Sequence, residues 1–257
     1  MKARTSPTLS LFDEPSAEPS PSEPVTKDAE LRAYILDVHR RLCAEYGCPF
    51  PYFRVLDPLS ELVGSLLSHR TKNKESGVAL RNLQAAYPDW CDLIDAPPAE
   101  VESHIAMVTY PEVKVPAIQN SLRYILAERG ELSLEFLREM SPEDAQAWLR
   151  RIKGVGPKTA AATLAFSSLK MRALPVDSHH YRVARRLHFI PMSVGEGPSH
   201  ERLEALLPRD WEAQELYDHH EILMLHGQRV CHWRKPACDD CVLADLCPSR
   251  GTSGGER

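Results

Sequence analysis

The 257-residue chain has no long run of apolar residues. A helix that crosses a bilayer needs roughly 20 consecutive apolar residues, and no segment comes near that length, so we exclude a membrane-spanning protein. The segment 1–24 also lacks the apolar block of a secretory signal, and we expect no export. The chain has seven cysteines, a small and odd number. This count argues against a disulfide framework. We therefore expect the scattered Cys43, Cys48 and Cys91 to be ordinary thiols.

Strand-like alternation between hairpin turns is absent as well, and so is any internal repeat. Apolar residues instead recur with a helical period, which predicts an all-α protein. The predicted helices span about 28–45, 58–68, 75–86, 98–107, 115–128, 134–140, 142–152, 157–168, 179–187, 199–206 and 211–226. Residues 1–27 contain five prolines and no such period, so we expect a disordered tail there, and a second flexible tail over 250–257.

The formal net charge of −5 by itself argues against a strongly basic nucleic-acid binder. The charge is unevenly distributed, however. Residues 150–190 contain nine Lys or Arg and a single acid, Asp177, and so carry +8. Such a run is often only a solvated helix face, but it also suits a surface that meets DNA phosphates.

Within this basic segment, Gly154-Val155-Gly156 separates two predicted helices. Glycine lets a phosphate approach the backbone, and the free N–H groups at the start of the second helix are donors for an anion. A Walker A loop is excluded because Pro157 stands where glycine is required, and a dinucleotide fingerprint lacks its third glycine. The segment predicts a hairpin that binds the DNA backbone without selecting a base, with a plain glycine-capped turn as the alternative.

Lys158 lies at the start of the second helix, where the helix dipole and the neighbouring cations disfavour its protonated form. An amine so placed can act as a nucleophile, although a lysine in a basic region more often pairs with a phosphate. Asp177 directly precedes another predicted helix, so it suits either a catalytic carboxylate or a simple helix N-cap.

The other four cysteines, Cys231, Cys238, Cys241 and Cys247, fall within 17 residues. Zinc sites usually have two Cys-x-x-Cys pairs, and here only one such pair occurs, so the run favours an iron-sulfur cluster. His232, Arg234 and Lys235 lie between the first two cysteines and form a short basic loop. We expect this loop to contact phosphates, with ordinary solvation as the alternative.

Taken in order, these motifs resemble the endonuclease III family of base-excision DNA glycosylases. The resemblance is carried by Gly154-Val155-Gly156-Pro157-Lys158-Thr159-Ala160, by Val176-Asp177-Ser178-His179 and by Cys-x6-Cys-x2-Cys-x5-Cys, and it extends from about Pro58 to Cys247. It implies a helix-hairpin-helix enzyme that removes oxidised pyrimidines from double-stranded DNA and cleaves abasic sites as a lyase. It also implies a structural 4Fe-4S cluster on the four cysteines, with no other small-molecule cofactor.

The resemblance assigns roles to individual residues. The amine of Lys158 would attack C1′ of the damaged nucleotide to form a Schiff base, and Asp177 would stabilise the developing sugar cation or help to deprotonate the lysine. DNA contacts are expected from the hairpin and from four further residues, His179, Arg182, Arg234 and Lys235. The family architecture implies two helical domains beside a cleft, one over 51–170 and a cluster domain made of 28–50 and 171–249.

Two loops depart from the family pattern. Arg70 stands where the family has glutamine, and Tyr110 stands where it has leucine, next to Thr109 in place of glycine. Arg70 can pair with an orphaned guanine, and Tyr110 can stack in the gap left by a flipped nucleotide. The range of excised bases therefore stays open.

Two other functions fit part of the pattern. An adenine-mismatch glycosylase resembles this family but lacks the lysine nucleophile, and a non-catalytic protein would use the hairpin and cluster only to dock on DNA. Nothing in the sequence indicates an oligomer or a membrane partner, so we expect a monomer. An air-sensitive cluster and the missing export signal predict a cytoplasmic, nucleoid-associated protein.

Overall fold

The structure, a computed structural model, describes residues 27–53 and 55–251. Throughout these ranges the regular secondary structure is helical, and the only β feature is an isolated bridge between Leu56 and Ser167. The prediction of an all-α protein is confirmed. No described helix is long and apolar enough to span a bilayer.

The described ranges contain eleven α-helices. They are α1 (Lys27–Tyr46), α2 (Pro58–Ser68), α3 (Asn73–Ala86), α4 (Trp90–Ile94), α5 (Pro98–His104), α6 (Pro111–Arg129), α7 (Pro142–Leu149), α8 (Pro157–Phe166), α9 (Ser178–Arg186), α10 (Glu196–Leu206) and α11 (Ala213–Arg229), with 3₁₀ turns at Glu135–Glu139 and Cys238–Asp240. The tail predicted for 1–27 lies outside the described residues except for Lys27. Of the tail predicted for 250–257, only Arg250 and Gly251 are described.

Local capping chemistry sets several of the helix starts. The Asp57 carboxylate accepts hydrogen bonds from the first turn of α2, and Ser141 accepts one from the backbone of Asp144 at the start of α7, as its sequence predicts. A proline occupies the first position of both helices, where no backbone N–H is needed. These residues therefore stabilise the helix ends independently of tertiary packing.

Several helical elements differ from the prediction. The short α4 was not expected, and residues 135–139 form a 3₁₀ turn rather than an α-helix. Helix α6 begins four residues earlier than predicted because Pro111 occupies its first position and Pro116 is accommodated inside it. Helix α10 likewise begins three residues early, at Glu196.

Two hydrophobic clusters make up the core of the described residues. One contains buried side chains of α2 to α8, from Leu59 to Ala173. The other contains side chains of α1 and α9 to α11, together with Leu243. The alanine-rich α8 packs against α2 on one side and against α10 and α11 on the other, so its N-terminus lies where the two clusters meet. The division into domains near residue 170 stays a prediction.

The cysteine prediction was wrong at one place. Cys43 and Cys48 form a disulfide at the C-terminal end of α1, while Cys91 is free and exposed. Gly47, with a φ of 87°, reverses the chain and brings the two cysteines together, with 4.9 Å between their Cα atoms. A count of cysteines cannot detect so local a pair.

Candidate active site

Lys158 is the second residue of α8, and its side chain is partly exposed at the junction of the two clusters. Burial lowers the pKa of its amine, and the nearby carboxylates of Asp177 and Glu61 oppose that shift. The direction is the expected one, and burial is its largest cause. Arg150 and Arg151, two of the neighbouring cations, pair with Glu201 at 3.1 Å and with Glu128 at 2.7 Å.

Asp177 is the N-cap of α9, and its Oδ1 accepts a hydrogen bond of 2.8 Å from the backbone N–H of His180. It is also close enough to Lys158 for their charges to interact. The structure thus brings the two predicted catalytic residues together, one from each hydrophobic cluster. The capping role and the proximity to the lysine are compatible, since a carboxylate has two oxygens.

Sequence reasoning missed Glu61, a carboxylate that is only 3% exposed on α2. Its Oε1 accepts a hydrogen bond of 3.3 Å from Ser65, and its charge acts on Lys158. The signal in the sequence is a single acid in the otherwise uncharged segment 58–67. Because every residue of that segment is buried in the structure, the acid faces protein rather than solvent.

Three histidines near Lys158 were also missed. His69 makes a 2.9 Å hydrogen bond with the hydroxyl of Thr159 on α8, whereas His200 and His220 come from α10 and α11. Burial lowers the pKa of all three imidazoles, and the charge of Lys158 lowers it further. These three histidines are therefore neutral at physiological pH.

The hairpin between α7 and α8 has one left-handed glycine rather than two. Gly154 has a φ of 95°, while Gly156 is extended and forms the N-cap of α8 without a side-chain cap. Val155 is buried, and its N–H donates to Ile152, so its side chain and amide face the protein. The uncapped start of α8 next to exposed Lys153 remains suited to a phosphate.

The two loops that depart from the family pattern lie side by side. The hydroxyl of Thr109 donates to the carbonyl of Arg70 at 2.9 Å, and the N–H of Thr109 donates to the hydroxyl of Thr71 at 3.1 Å. Arg70 and Tyr110 are both exposed and both have a positive φ, 52° and 57°. Such backbone strain in non-glycine residues is common at functional sites.

The predicted DNA contacts near the cluster divide into two kinds. Arg182 is only 6% exposed, and its guanidinium donates to the carbonyls of Gly227 and Cys231. It therefore links α9 to α11 and is not available for the DNA contact that the sequence predicted. His179 is partly buried beside it, with 3.1 Å between its Nδ1 and Nη2 of Arg182. Arg234 and Lys235 are exposed, as a role in DNA binding requires.

The four clustered cysteines all border one pocket, and none of them is in a disulfide. Burial raises the pKa of Cys241, and the other three thiols raise it further because the four lie close together. Among residues 27–53 and 55–251, no three side chains converge tightly enough to hold a single metal ion. Four thiols around one pocket are a donor set that a 4Fe-4S cluster takes.

The chain has a helical fold, a hairpin before Lys158, a carboxylate near that lysine and a four-cysteine pocket. This combination is that of the helix-hairpin-helix DNA glycosylases with an iron-sulfur cluster. Residues 234–247 match the iron-sulfur binding domain of endonuclease III. Endonuclease III of Escherichia coli K12 is 30% identical over 217 residues, which cover 84% of this chain and 95% of that protein. The chain belongs to the endonuclease III family, and the predicted iron-sulfur cofactor is confirmed.

Other relatives agree with this assignment. A putative DNA glycosylase of Arabidopsis thaliana is 31% identical over 72% of this chain, which spans 64% of that protein, and the chain spans 59% of endonuclease III of Sulfolobus acidocaldarius. A solved structure of a trapped endonuclease III–DNA covalent intermediate superposes with a TM-score of 0.71 at 22% identity, covering 84% of this chain and 95% of that one. A thermostable thymine-DNA glycosylase superposes with a TM-score of 0.63 at 20% identity, covering 85% and 96%.

Proposed function

We propose that this protein is a bifunctional base-excision enzyme that removes oxidised pyrimidines from double-stranded DNA and cleaves the resulting abasic sites by β-elimination. The observation that carries the proposal is the placement of Lys158, whose amine has a pKa lowered by burial and faces Asp177. Desolvation activates a lysine as a nucleophile, and a carboxylate beside it can stabilise positive charge on the sugar.

In the proposed reaction the nitrogen of Lys158 attacks C1′ of the flipped nucleotide. The Asp177 carboxylate stabilises the positive charge that develops on the sugar as the bond to the base breaks. The base leaves as its bond to C1′ breaks, and the sugar ring then opens at the C1′–O4′ bond, with O4′ taking a proton released by the amine, to give the Schiff base. The Schiff base acidifies the C2′ protons, so water takes up one of them as the C3′–O bond breaks and the 3′ phosphate leaves by β-elimination. Because Asp177 is held by the backbone of α9, it meets this charge without having to reorganise.

DNA would be held by groups on both sides of Lys158. The start of α8 and Lys153 would bind phosphates on one strand, and Arg234 and Lys235 would bind phosphates further along. Arg70 and Tyr110 would fill the space of the extruded nucleotide, with the fork of Arg70 favouring guanine as the opposite base.

The four cysteines would hold the 4Fe-4S cluster, which supplies a rigid cross-link rather than chemistry at the sugar. The residues around it fasten the catalytic helix: Arg186 at the end of α9 donates to the carbonyls of His232 and Trp233 and lies 3.3 Å from the sulfur of Cys231. We place the protein in the cytoplasm with the nucleoid, as a monomer.

Borohydride trapping on a duplex with a single abasic site tests the proposal. We expect wild-type protein to form a covalent adduct and Lys158→Ala to form none, since only the amine can be reduced onto the sugar. Lys170→Ala is the matched control, because it removes another exposed lysine of the basic segment 150–190 that has no assigned DNA contact and should leave the yield of adduct unchanged. No adduct with the wild type, or an undiminished one with Lys158→Ala, contradicts the proposal.

The substrate range is tested with duplexes that carry different oxidised pyrimidines opposite each of the four bases. We expect excision to be fastest with guanine opposite the lesion. Activity on abasic sites without excision of any damaged base would restrict the function to that of a lyase.

A further inference from the structure

Lys114 is a buried lysine that the proposed function has not used. It is the fourth residue of α6, and its side chain is only 7% exposed. Its Nζ donates to the carbonyl of Leu67 and to the hydroxyl of Thr71, each at 2.6 Å. Leu67 lies in the last turn of α2, where the carbonyls have no partner within the helix and the negative end of the helix dipole attracts a cation. The amine of Lys114 therefore links α6 to the end of α2.

Thr71 lies where the loop that carries Arg70 meets the loop that carries Tyr110. Its hydroxyl oxygen accepts from Nζ of Lys114 at 2.6 Å and from the backbone N–H of Thr109 at 3.1 Å, and its O–H donates to the carbonyl of His69 at 3.3 Å. Burial lowers the pKa of Lys114 to about 8, so at pH 7 its amine is an ammonium, which can only donate. A hydroxyl has one donor and two acceptor positions, and in Thr71 all three are occupied.

The tips of both loops are held by the same group of residues. The carbonyl of Arg70 accepts from the hydroxyl of Thr109 at 2.9 Å, and the carbonyl of Tyr110 accepts from the backbone N–H of Lys114 at 3.2 Å. Arg70 and Tyr110 have a left-handed backbone, which costs free energy in residues other than glycine and persists only where the surrounding structure holds it. The hydrogen bonds of Thr71, Thr109 and Lys114, which we call the loop clamp, provide that support.

On this basis, and resting on the proposed function, we propose that the loop clamp holds Arg70 and Tyr110 as one rigid unit and thereby sets the preference for the base opposite the extruded nucleotide. A guanidinium fork discriminates guanine only when its donors meet O6 and N7 together, so the backbone that carries it must be held in place. Tyr110, held by the same clamp, fills the gap in a fixed relation to Arg70. The members of the clamp are thus positioning residues, which act on DNA only through the two loop tips.

The placement of the two threonines separates this role from general support of the fold. Thr71 and Thr109 are both partly exposed, and their hydroxyls bond to loop backbone rather than to the hydrophobic core. Valine has the shape of threonine without the hydroxyl, so a Thr→Val change at either position leaves the packing in place and removes only the hydrogen bonds. We therefore expect such variants to fold while the loop tips lose their fixed geometry.

The test is the affinity at pH 7 for duplexes that carry a tetrahydrofuran abasic analogue opposite guanine or adenine, measured by fluorescence anisotropy. In Thr71→Val we expect the preference for guanine over adenine to fall by about tenfold, within the range that a bidentate contact to a base supplies, while the affinity for an undamaged duplex stays the same. Thr71→Ser restores the hydroxyl and should recover the wild-type preference. An unchanged preference in Thr71→Val, or an equal loss in Thr71→Ser, overturns the proposal.

Two further variants separate the clamp from packing. Ser121→Ala removes a buried hydroxyl of α6 that donates to the carbonyl of Ala117 in the same helix at 2.8 Å, and it should leave the preference unchanged; a loss as large as that of Thr71→Val would contradict the proposal. Thr109→Val should also weaken the preference, but the double variant with Thr71→Val should lose less than the product of the two single losses, because both act on one unit. Independent losses would contradict a rigid unit.

The same measurement distinguishes failure of the clamp from failure of the proposed function. A wild-type protein without any preference for guanine refutes the role of Arg70 in the proposed function, and this proposal with it. A wild-type preference that survives in Thr71→Val refutes the clamp alone.

Discussion

At the residue scale, the groups around Lys158 have opposing effects on the pKa of its amine. Burial disfavours the ammonium, while Asp177 and Glu61 favour it. A nucleophilic lysine needs this balance. Its ammonium must lose a proton easily, and yet the site must tolerate a positive charge, because it binds an anionic DNA strand. None of the opposing groups is adjacent to Lys158 in the sequence, so the balance arises only on folding.

Glu221 gives a prediction about stability at this scale. Burial raises its pKa to about 7, and the charges of Asp177 and Asp218 contribute to the same shift. A carboxyl whose folded pKa exceeds its unfolded value of about 4.3 binds a proton more tightly in the folded state. Its ionisation therefore destabilises the fold progressively from about pH 4.5 to about pH 7 and fully above that.

We expect Glu221→Gln to be more stable than wild type at pH 8 by about 1–2 kcal/mol, allowing for the partial exposure of the side chain. The difference should shrink towards zero at pH 5. Thermal unfolding at the two pH values measures it. Glu131→Gln, at an exposed position, should change nothing, and a Glu221→Gln variant with the same advantage at both pH values would contradict the assigned pKa.

At the scale of elements, α9 connects Asp177 to the cysteine segment. It begins directly after Asp177 and ends at Arg186, and Arg182 in its middle donates to the carbonyl of Gly227 on α11 at 2.7 Å. The two helices approach closely at Gly227, where an added Cβ would lie 2.8 Å from Cβ of His179. The position of Asp177 therefore depends on this helix pair.

Gly227→Ala should destabilise the protein by about 1–3 kcal/mol, because the clash forces α9 and α11 apart, although the higher helix propensity of alanine offsets part of the loss. Gly77→Ala on α3 is the matched control, since its Cβ would meet only the end of Arg81, at 3.6 Å. We expect that control to be neutral or stabilising by up to about 1 kcal/mol. Equal melting temperatures for the two variants would show that the close approach of α9 and α11 at Gly227 does not contribute to stability.

At the scale of the whole molecule, several cations of the basic segment 150–190, whose charge is +8, are already paired within the protein. Arg150 and Arg151 pair with glutamates, Arg172 pairs with Glu204 at 3.3 Å, and Arg182 and Arg186 are buried against backbone carbonyls. Lys153 is exposed and makes no ion pair among the described residues. The number of cations available to DNA is therefore smaller than the sequence implies.

We expect DNA affinity to fall with salt, and Lys153→Ala to reduce the slope of log affinity against log salt by about 0.9, the value for one phosphate contact. Arg150→Ala should change the slope much less, because Glu201 already neutralises that side chain. Fluorescence anisotropy on an undamaged duplex at several salt concentrations measures both. A larger effect for Arg150→Ala than for Lys153→Ala would contradict this assignment of the docking surface.

The sequence by itself determined the features that depend on local chemistry and spacing. Helical periodicity indicated the all-α class and the four-cysteine run indicated the iron-sulfur site, because each is encoded within a short stretch of the chain. The pairing of Lys158 with Asp177 was reached only through the resemblance to a family, since 18 residues separate them along the chain.

Tertiary structure alone decided which charged groups are buried and what they face. Glu61, His200 and His220 come from three different helices, and no pattern within any one helix shows that they converge on Lys158. Arg182 looks like a DNA contact in a basic run, yet folding places it against the carbonyls of Gly227 and Cys231. The physical reason is that burial and long-range charge pairing depend on how helices pack, whereas helix formation depends mainly on neighbours three or four residues away.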